Sequence, residues 1–411
     1  MSLFTYLLKN VTTNSTEYSV TIEELNRQQV LIRIPSTILV ILTMTIGFVG
    51  NILTVYVYGF RLKLSPTYLF VVMLACVDLI LCAIVSPGRI VQNVYPMMTT
   101  WDVLCKNHMC LSVFTGLCNC GFLVSISVDR YRKVCQPLKS QLSMKCAKII
   151  TASILIFSTI QGSIALLYYG SIKKSTNYPD IYSYSCSAKK SEKPNYYQLG
   201  FFAFYLLLTV FAFIELSVVY TIILRKMKVQ EKKTIVSQQN RKNVTSALYS
   251  DETQQRWSNI PKNTDRNQLV FNVPVEAVEL SVTETSSGVS SDDTSNVSAK
   301  NTKNTAPIAI KLRETDSERR AREQTKRIQR ITVTMMMITL VFIVTYIPCV
   351  IAMMVNAVLK SEDTMSVTTA IFYWLARHTF YLNSSLNPII YSCRNQNFVD
   401  EVKKLLGLKQ K

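Results

Sequence analysis

The sequence predicts an all-α membrane protein, a bundle of seven transmembrane helices followed by a short amphipathic eighth helix. Three observations carry that reading. Of 411 residues, 49% are apolar, and the apolar content gathers into seven blocks, at about 34–59, 67–94, 105–133, 147–169, 198–225, 329–357 and 367–392, each long enough to cross a bilayer at about 1.5 Å per residue. Lysines and arginines cluster between alternate blocks: Arg61 and Lys63, Arg130 to Lys148, the ends of the 226–328 segment, and Lys403, Lys404, Lys409 and Lys411. That one-sided placement puts these segments in the cytosol and the N-terminus outside. The net charge of +19 then belongs to the membrane topology, and nucleic acid is not an expected partner.

The chain divides accordingly. Residues 1–33 form an extracellular tail, 34–225 the first five spans, 226–328 a long disordered cytoplasmic loop whose ends, Arg225 to Lys233 and Glu314 to Arg330, have helix-forming composition and are expected to extend spans five and six, 329–392 the last two spans, and 393–411 the eighth helix with a short tail. The tail lacks the apolar core of a cleavable leader, so the first span is expected to serve as its own insertion signal. Asn10-Val11-Thr12 and Asn14-Ser15-Thr16 are glycosylation acceptors on the expected outer side, Asn10 and Asn14 being the modified residues. Of eleven cysteines, Cys105 and Cys186 alone fall at the oxidising outer surface, and they are expected to form one disulfide that holds the loop before the fifth span over the bundle mouth.

Polar residues inside the spans are the functional candidates. Asp78 sits near mid-membrane, with Asn119 of the third span and Asn383, Ser384 and Asn387 of the seventh as its expected company. Such a cluster suits a sodium ion or a proton; the alternative is a water-filled packing network. The third block runs from Met109 to Val128 without a charge and ends on Ser127-Val128-Asp129-Arg130-Tyr131-Arg132-Lys133, a charged helix end at the cytoplasmic surface. Glu215 lies inside the fifth span and is expected as a hydrogen-bonded carboxyl facing the bundle.

Gly50-Asn51, Asp78, Cys105 with Cys186, Asp129-Arg130-Tyr131, Pro348, and Asn387-Pro388-Ile389-Ile390-Tyr391 with Phe398 beyond them occur in one order along the chain. Cys105 precedes Arg130 by twenty-five residues. Together these motifs resemble the rhodopsin-like G-protein-coupled receptors over all seven spans and the eighth helix. The resemblance implies a plasma-membrane receptor that binds an extracellular ligand and activates a heterotrimeric G protein, with receptor kinases and arrestin acting on the 226–328 loop. It implies a switch built from Asp129, Arg130, Tyr131, Leu138, Tyr220, Phe342, Pro348, Asn387, Pro388 and Tyr391. The sequence also departs from the family pattern. The fourth span lacks the usual tryptophan and proline, the fifth has Ala212 at its usual proline, Tyr346 replaces the tryptophan of the sixth, and Ile328 stands where an acidic latch to Arg130 is usual.

Ser112 stands where an amine receptor of this family carries aspartate, and no lysine occurs from Ser366 to Tyr391 to hold retinal. What the outer half offers is positive charge. Arg89 lies about three turns outward of Asp78 and Arg377 nearly three turns outward of Asn387, and the loop around Cys186 is rich in lysine and tyrosine. Arginine forks grip carboxylates at two points. The expected ligand is therefore a peptide with an acidic or carboxylate group, met by Arg89, Ser112, Tyr346, Tyr373 and Arg377; a small non-peptide acid is the alternative. No His/Cys metal cluster or phosphate loop points to an enzyme. The rival classes are a seven-span transporter or channel, for which no internal repeat is visible, and a non-signalling scaffold.

Overall fold

A computed structural model describes residues 20–189, 196–258, 316–359, 365–405 and 407. The chain forms two compact units, Met1–Val229 with Arg320–Lys411, and Gln230–Arg319. The described part of the second unit, 230–258 and 316–319, is helical.

The first helix, Ile22–Tyr56, starts at Thr21, whose Oγ1 accepts from the Glu24 amide at 3.4 Å, and carries Glu23 and Glu24 in its first turn. An N-cap and early acidic residues both favour helix initiation. This corrects the expected 1–33 tail: residues 22–33 are helix above the apolar block. They are anchored by the buried Asn26, which donates to the Val94 carbonyl at 3.0 Å and accepts from the Met97 amide at 3.1 Å. The glycosylation acceptors Asn10 and Asn14 lie outside the described residues. Ser65, Ser143 and Ser366 cap the second, fourth and seventh helices in the same manner, at 3.3, 3.2 and 3.2 Å.

The second helix consists of Pro66–Ile80, a π-helical turn Leu81–Val85, and Ser86–Val94. Pro87 cannot donate to the helix ladder, and the π turn absorbs the defect and re-aims the outer piece. The third helix is Asp102–Cys135, the fourth Met144–Tyr168, the fifth begins the long helix Tyr196–Ser258, and the sixth belongs to Asp316–Leu359. Helix therefore fills 226–258 and 316–328: the extensions expected at both ends of the loop are present, and the fifth helix runs on through 234–258, which was expected as disordered. Its Lys, Glu, Gln and Arg content favours helix once a span has nucleated it; the serine-rich stretch 281–305 lies outside the described residues. The seventh span is broken: Val367–His378, a 3₁₀ turn Thr379–Tyr381, and Leu382–Arg394. The other six pass a test of length and apolar composition for crossing a membrane.

Between the fourth and fifth helices, β1 (Tyr169–Ser175) and β2 (Tyr182–Ala188) pair antiparallel with Ser171 opposite Cys186. The Cys105–Cys186 disulfide, with Cα atoms 5.5 Å apart, pins β2 to the third helix. The Tyr184 amide donates to the Met97 carbonyl at 2.7 Å and the Thr99 amide to the Tyr184 carbonyl at 2.9 Å, so the hairpin is also stitched to the loop after the second helix. At the other end, Gln396–Leu405 forms the eighth helix. Its Phe398 is buried against Tyr58, ring centres 5.7 Å apart, while Glu401 pairs with Arg61 at 3.0 Å. Lys404 and Arg61 hold the Glu401 carboxyl below its ordinary range.

Outward faces are apolar, as lipid requires: Ile38, Leu42 and Val49 are about half exposed. The interior packs Phe70, Phe122, Leu216, Phe342 and Tyr391, and the first and seventh helices touch closely. A Cβ on Gly50 would stand 2.5 Å from Pro388 Cβ, and Asn51 Nδ2 donates to the Ser384 carbonyl at 2.8 Å. Gly50→Val is expected to cost about 1–3 kcal/mol through overpacking, read as a lowered thermal unfolding temperature of the purified protein in nanodiscs.

Candidate functional site

Three polar stations lie along the bundle interior. The outer one collects arginines from three helices. Arg33 of the first helix lies over the Trp374 ring, 3.9 Å from its centroid. Arg89 Nη1 donates to Gln92 Oε1 at 2.9 Å, and Arg377 Nη1 donates to Tyr373 Oη at 2.8 Å. All three guanidinium groups act electrostatically on His378, and Arg89 and Arg377 both act on Tyr169, Cys349 and Tyr381. The station is thus bounded by the first, second, third, sixth and seventh helices and the base of the hairpin.

The chain's two histidines meet here, both buried, His108 beneath Gly88 and His378 stacked between Trp374 and Tyr381. His378 Nδ1 lies 2.6 Å from the Trp374 carbonyl, which can only accept, so Nδ1 carries the hydrogen. Among the described residues, His378 Nε2 is a buried acceptor, and Arg89 Nε and Gln92 Nε2 are buried donors, without a hydrogen-bond partner. Buried donors left in this way cost about 1–3 kcal/mol each, and an acceptor-rich ligand would relieve Arg89 Nε and Gln92 Nε2.

Of the residues expected to meet a ligand, Arg89, Tyr373 and Arg377 come together. Ser112 is half-buried, and its hydroxyl donates to the His108 carbonyl of its own helix at 2.7 Å. Tyr346 lies deeper, its hydroxyl bonded to that of Tyr205. Both oxygens press on Gly116, where a Cβ would meet them at 2.7 and 3.1 Å. The Tyr346 ring continues a column with Phe342, 4.8 Å away, and Phe213. Arg33, Gln92, His108 and His378 complete the station together with Trp374, and those four were not expected in it. Arg33 was read as tail, although the Thr21 cap and the acidic residues behind it were the signal. The histidines had a signal too, being the only two in the chain and both inside spans.

The middle station is Asp78. Asn119 Nδ2 donates to Oδ1 at 2.9 Å and Asn387 Nδ2 to Oδ2 at 3.0 Å, joining the second, third and seventh helices. Ser384 Oγ donates to the Tyr381 carbonyl at 2.9 Å and accepts from Cys82. The Oδ1 atoms of Asn119, Asn383 and Asn387 are buried acceptors without a partner. A carboxylate with several uncommitted amide oxygens is a donor set that fits a hard cation such as sodium.

At the inner station, one carboxylate oxygen gathers four groups. Asp129 Oδ2 accepts from Thr67 Oγ1 at 2.6 Å, from Arg130 Nε at 3.2 Å and from Lys133 Nζ at 3.0 Å; Arg130 Nη2 reaches the same oxygen and Thr67 Oγ1. Asp129 and Arg130 are 1% and 2% exposed, so the pair is desolvated. Ile328 packs against the core nearby in sequence to the sixth helix's inner end. Thr339 donates to Tyr220 Oη at 3.2 Å, the Tyr391 ring stands edge-on to Tyr58 at 5.3 Å, Tyr131 is half-buried, and Leu138 is fully exposed. Pro348 and Pro388 lie inside their helices. Thr67 and Lys133 were not expected here. Lys133 follows Asp129 by one helical turn, the spacing that brings side chains together.

Among curated proteins, residues of this chain are 34% identical over 128 positions to trace amine-associated receptor 7f of Mus musculus, a match covering 29% of this chain and 34% of that one. Melanopsin-A of Danio rerio is 31% identical over 123 residues, covering 29% and 21%, and octopamine receptor 1 of Lymnaea stagnalis 30% over 128, covering 30% and 20%. The chain spans about a third or less of the length of these relatives. The family described as 7 transmembrane receptor (rhodopsin family) matches residues 50–391, which include all three stations except Arg33. The protein is therefore a member of the rhodopsin family of seven-transmembrane receptors, a multi-pass membrane protein and not an enzyme.

Proposed function

We propose that this receptor binds an extracellular ligand bearing an acidic group at the outer station and, in response, activates a heterotrimeric G protein at the plasma membrane. The observation that carries the ligand class is the gathering of guanidinium groups at one place: Arg33 and Arg377 lie 3.9 and 5.5 Å from the Trp374 ring centroid, that ring stacks on His378, and Arg89 follows Gly88, against which the second buried histidine packs. The relatives' names concern amines and light, and this site suits neither. An ammonium ligand would face three guanidinium groups, a like-charge arrangement that rejects it, and the seventh span has no lysine to hold a chromophore.

The rim above supports a peptide over a compact acid. Tyr178 and Tyr182 are exposed on the hairpin, and Lys173 Nζ lies 3.6 Å from the Tyr182 ring centroid. Aromatic rings with adjacent cations offer a broad amphipathic surface. Ligand contacts there would favour a second packing of the bundle, in which the sixth helix swings about Pro348 and the column Tyr346, Phe342 and Phe213 repacks. Arg130 then leaves Asp129 and faces the cavity where Gα docks, with Leu138 as an apolar contact for the same partner. Asp78, when it holds sodium, supplies a charge-balanced plug between the second, third and seventh helices that favours the closed packing. Receptor kinases and arrestin would act on the 226–328 segment, where serine and threonine concentrate from Ser281 to Thr305.

A library of peptides and small acids tested on expressing cells, read by calcium and cAMP, is expected to yield agonists with a free carboxylate. Amidation of that group, or Arg89→Ala or Arg377→Ala, should weaken them about 10- to 100-fold, the worth of a charged hydrogen bond; equal potency of acid and amide would overturn the ligand class. Arg130→Ala should abolish coupling at preserved surface expression, and unchanged signalling would remove the receptor reading. Thr67→Val strips one donor from Asp129 and one acceptor from Arg130 and Lys133, so ligand-independent coupling should rise. Ile328→Glu supplies an acidic latch and should lower it.

A further inference from the structure

Glu215 is a carboxylate inside the fifth helix that nothing above employs. Its Oε1 and Oε2 lie 3.1 and 3.4 Å from Ser127 Oγ. That hydroxyl has one hydrogen and a nearer acceptor, the Val124 carbonyl at 2.7 Å. Asp129 draws on two cations and a hydroxyl, and Asp78 on two amides; Glu215 shares one hydrogen and makes no ion pair among the described residues. A carboxyl kept in hydrocarbon with so little support is expected to serve a second arrangement.

We propose that Glu215 receives Arg130 when the bundle opens, taking the part of the acidic partner that is absent at Ile328. The inference rests on the reading that this receptor opens to couple. Ser127 precedes Arg130 by three residues and lies on the same helix face. Long side chains in a helix lean toward the preceding turn, which is the turn that holds Glu215. Arginine stays charged in any packing, so a guanidinium leaving Asp129 needs another carboxylate or water. Among the described residues, Asp129 and Glu215 are the acidic side chains along this face of the third helix, while Asp78 is held by Asn119 and Asn387 at the middle station. Glu215 would act as a positioning residue that holds the extended Arg130 where Gα meets it.

The test uses the full chain in nanodiscs with purified G proteins and compares wild type, Glu215→Gln, Asp129→Asn and the double variant. Glutamine keeps an acceptor toward Ser127 and removes the charge. Asp129→Asn frees Arg130 and should raise ligand-independent nucleotide exchange, and adding Glu215→Gln should cut that gain by about fivefold or more, the range of a coupling between sites. Equal exchange by Asp129→Asn and the double variant would overturn the inference while leaving the receptor reading intact. If no variant activates any Gα, the receptor reading fails instead, and thermal unfolding followed with a thiol-reactive dye decides the pairing. Glu215→Gln should then lower the midpoint more in the Asp129→Asn background than in wild type, and additive shifts would reject the contact.

Discussion

A carboxylate in hydrocarbon has to find its partners inside the protein, and three of them organise this bundle. Asp78 joins the second, third and seventh helices through two asparagine amides. Asp129 concentrates Thr67, Arg130 and Lys133 on one oxygen atom, joining the second helix to the third. Glu215 links the fifth helix to the third through Ser127. Each is cheap to keep only while its partners stay in place. Helix movements that change the partners therefore change the energy by amounts that a ligand's differential binding can match.

The outer station obeys the opposite sign. It is rich in donors, three guanidinium groups and a glutamine amide with one uncommitted nitrogen, beside two buried histidines. The architecture that gathers them is unusual in two places. The π turn ahead of Pro87 re-aims the outer piece of the second helix, which carries Arg89 and Gln92. The first helix extends twelve residues beyond its apolar block, from Ile22, and docks through Asn26 on the loop after the second helix, carrying Arg33 over Trp374. The disulfide-pinned hairpin closes the same region from above. Between this station and the inner one runs an aromatic column, Tyr346 on Phe342 with Phe213 alongside, in contact with Tyr205 at its upper end. At its upper end the column continues through Phe380 and Tyr381 to His378 of the outer station.

Much of the fold was legible because lipid imposes simple rules on sequence. Apolar block length placed the spans, the distribution of lysine and arginine oriented them, and Cys105 and Cys186 were the cysteines on the oxidising side. Asp78, Asn119 and Asn387 were identified as company because short polar side chains in hydrocarbon have few other places to go. Element ends were less legible. Residues 22–33 read as tail and 234–258 as loop because hydropathy marks where lipid stops; it does not mark where a capped or charged helix stops.

The sequence by itself determined the apolar crossings, the disulfide and the identity of the charges buried between helices, since these follow from properties that each segment carries alone. Only the tertiary structure decided which charges share a site. That Arg33 joins Arg89 and Arg377 around His378, that Thr67 and Lys133 share Asp129 with Arg130, and that Glu215 faces Ser127 one turn above that arginine depend on helix rotation and on the π turn. These are set by packing between residues far apart in the chain, for which the local pattern holds no signal.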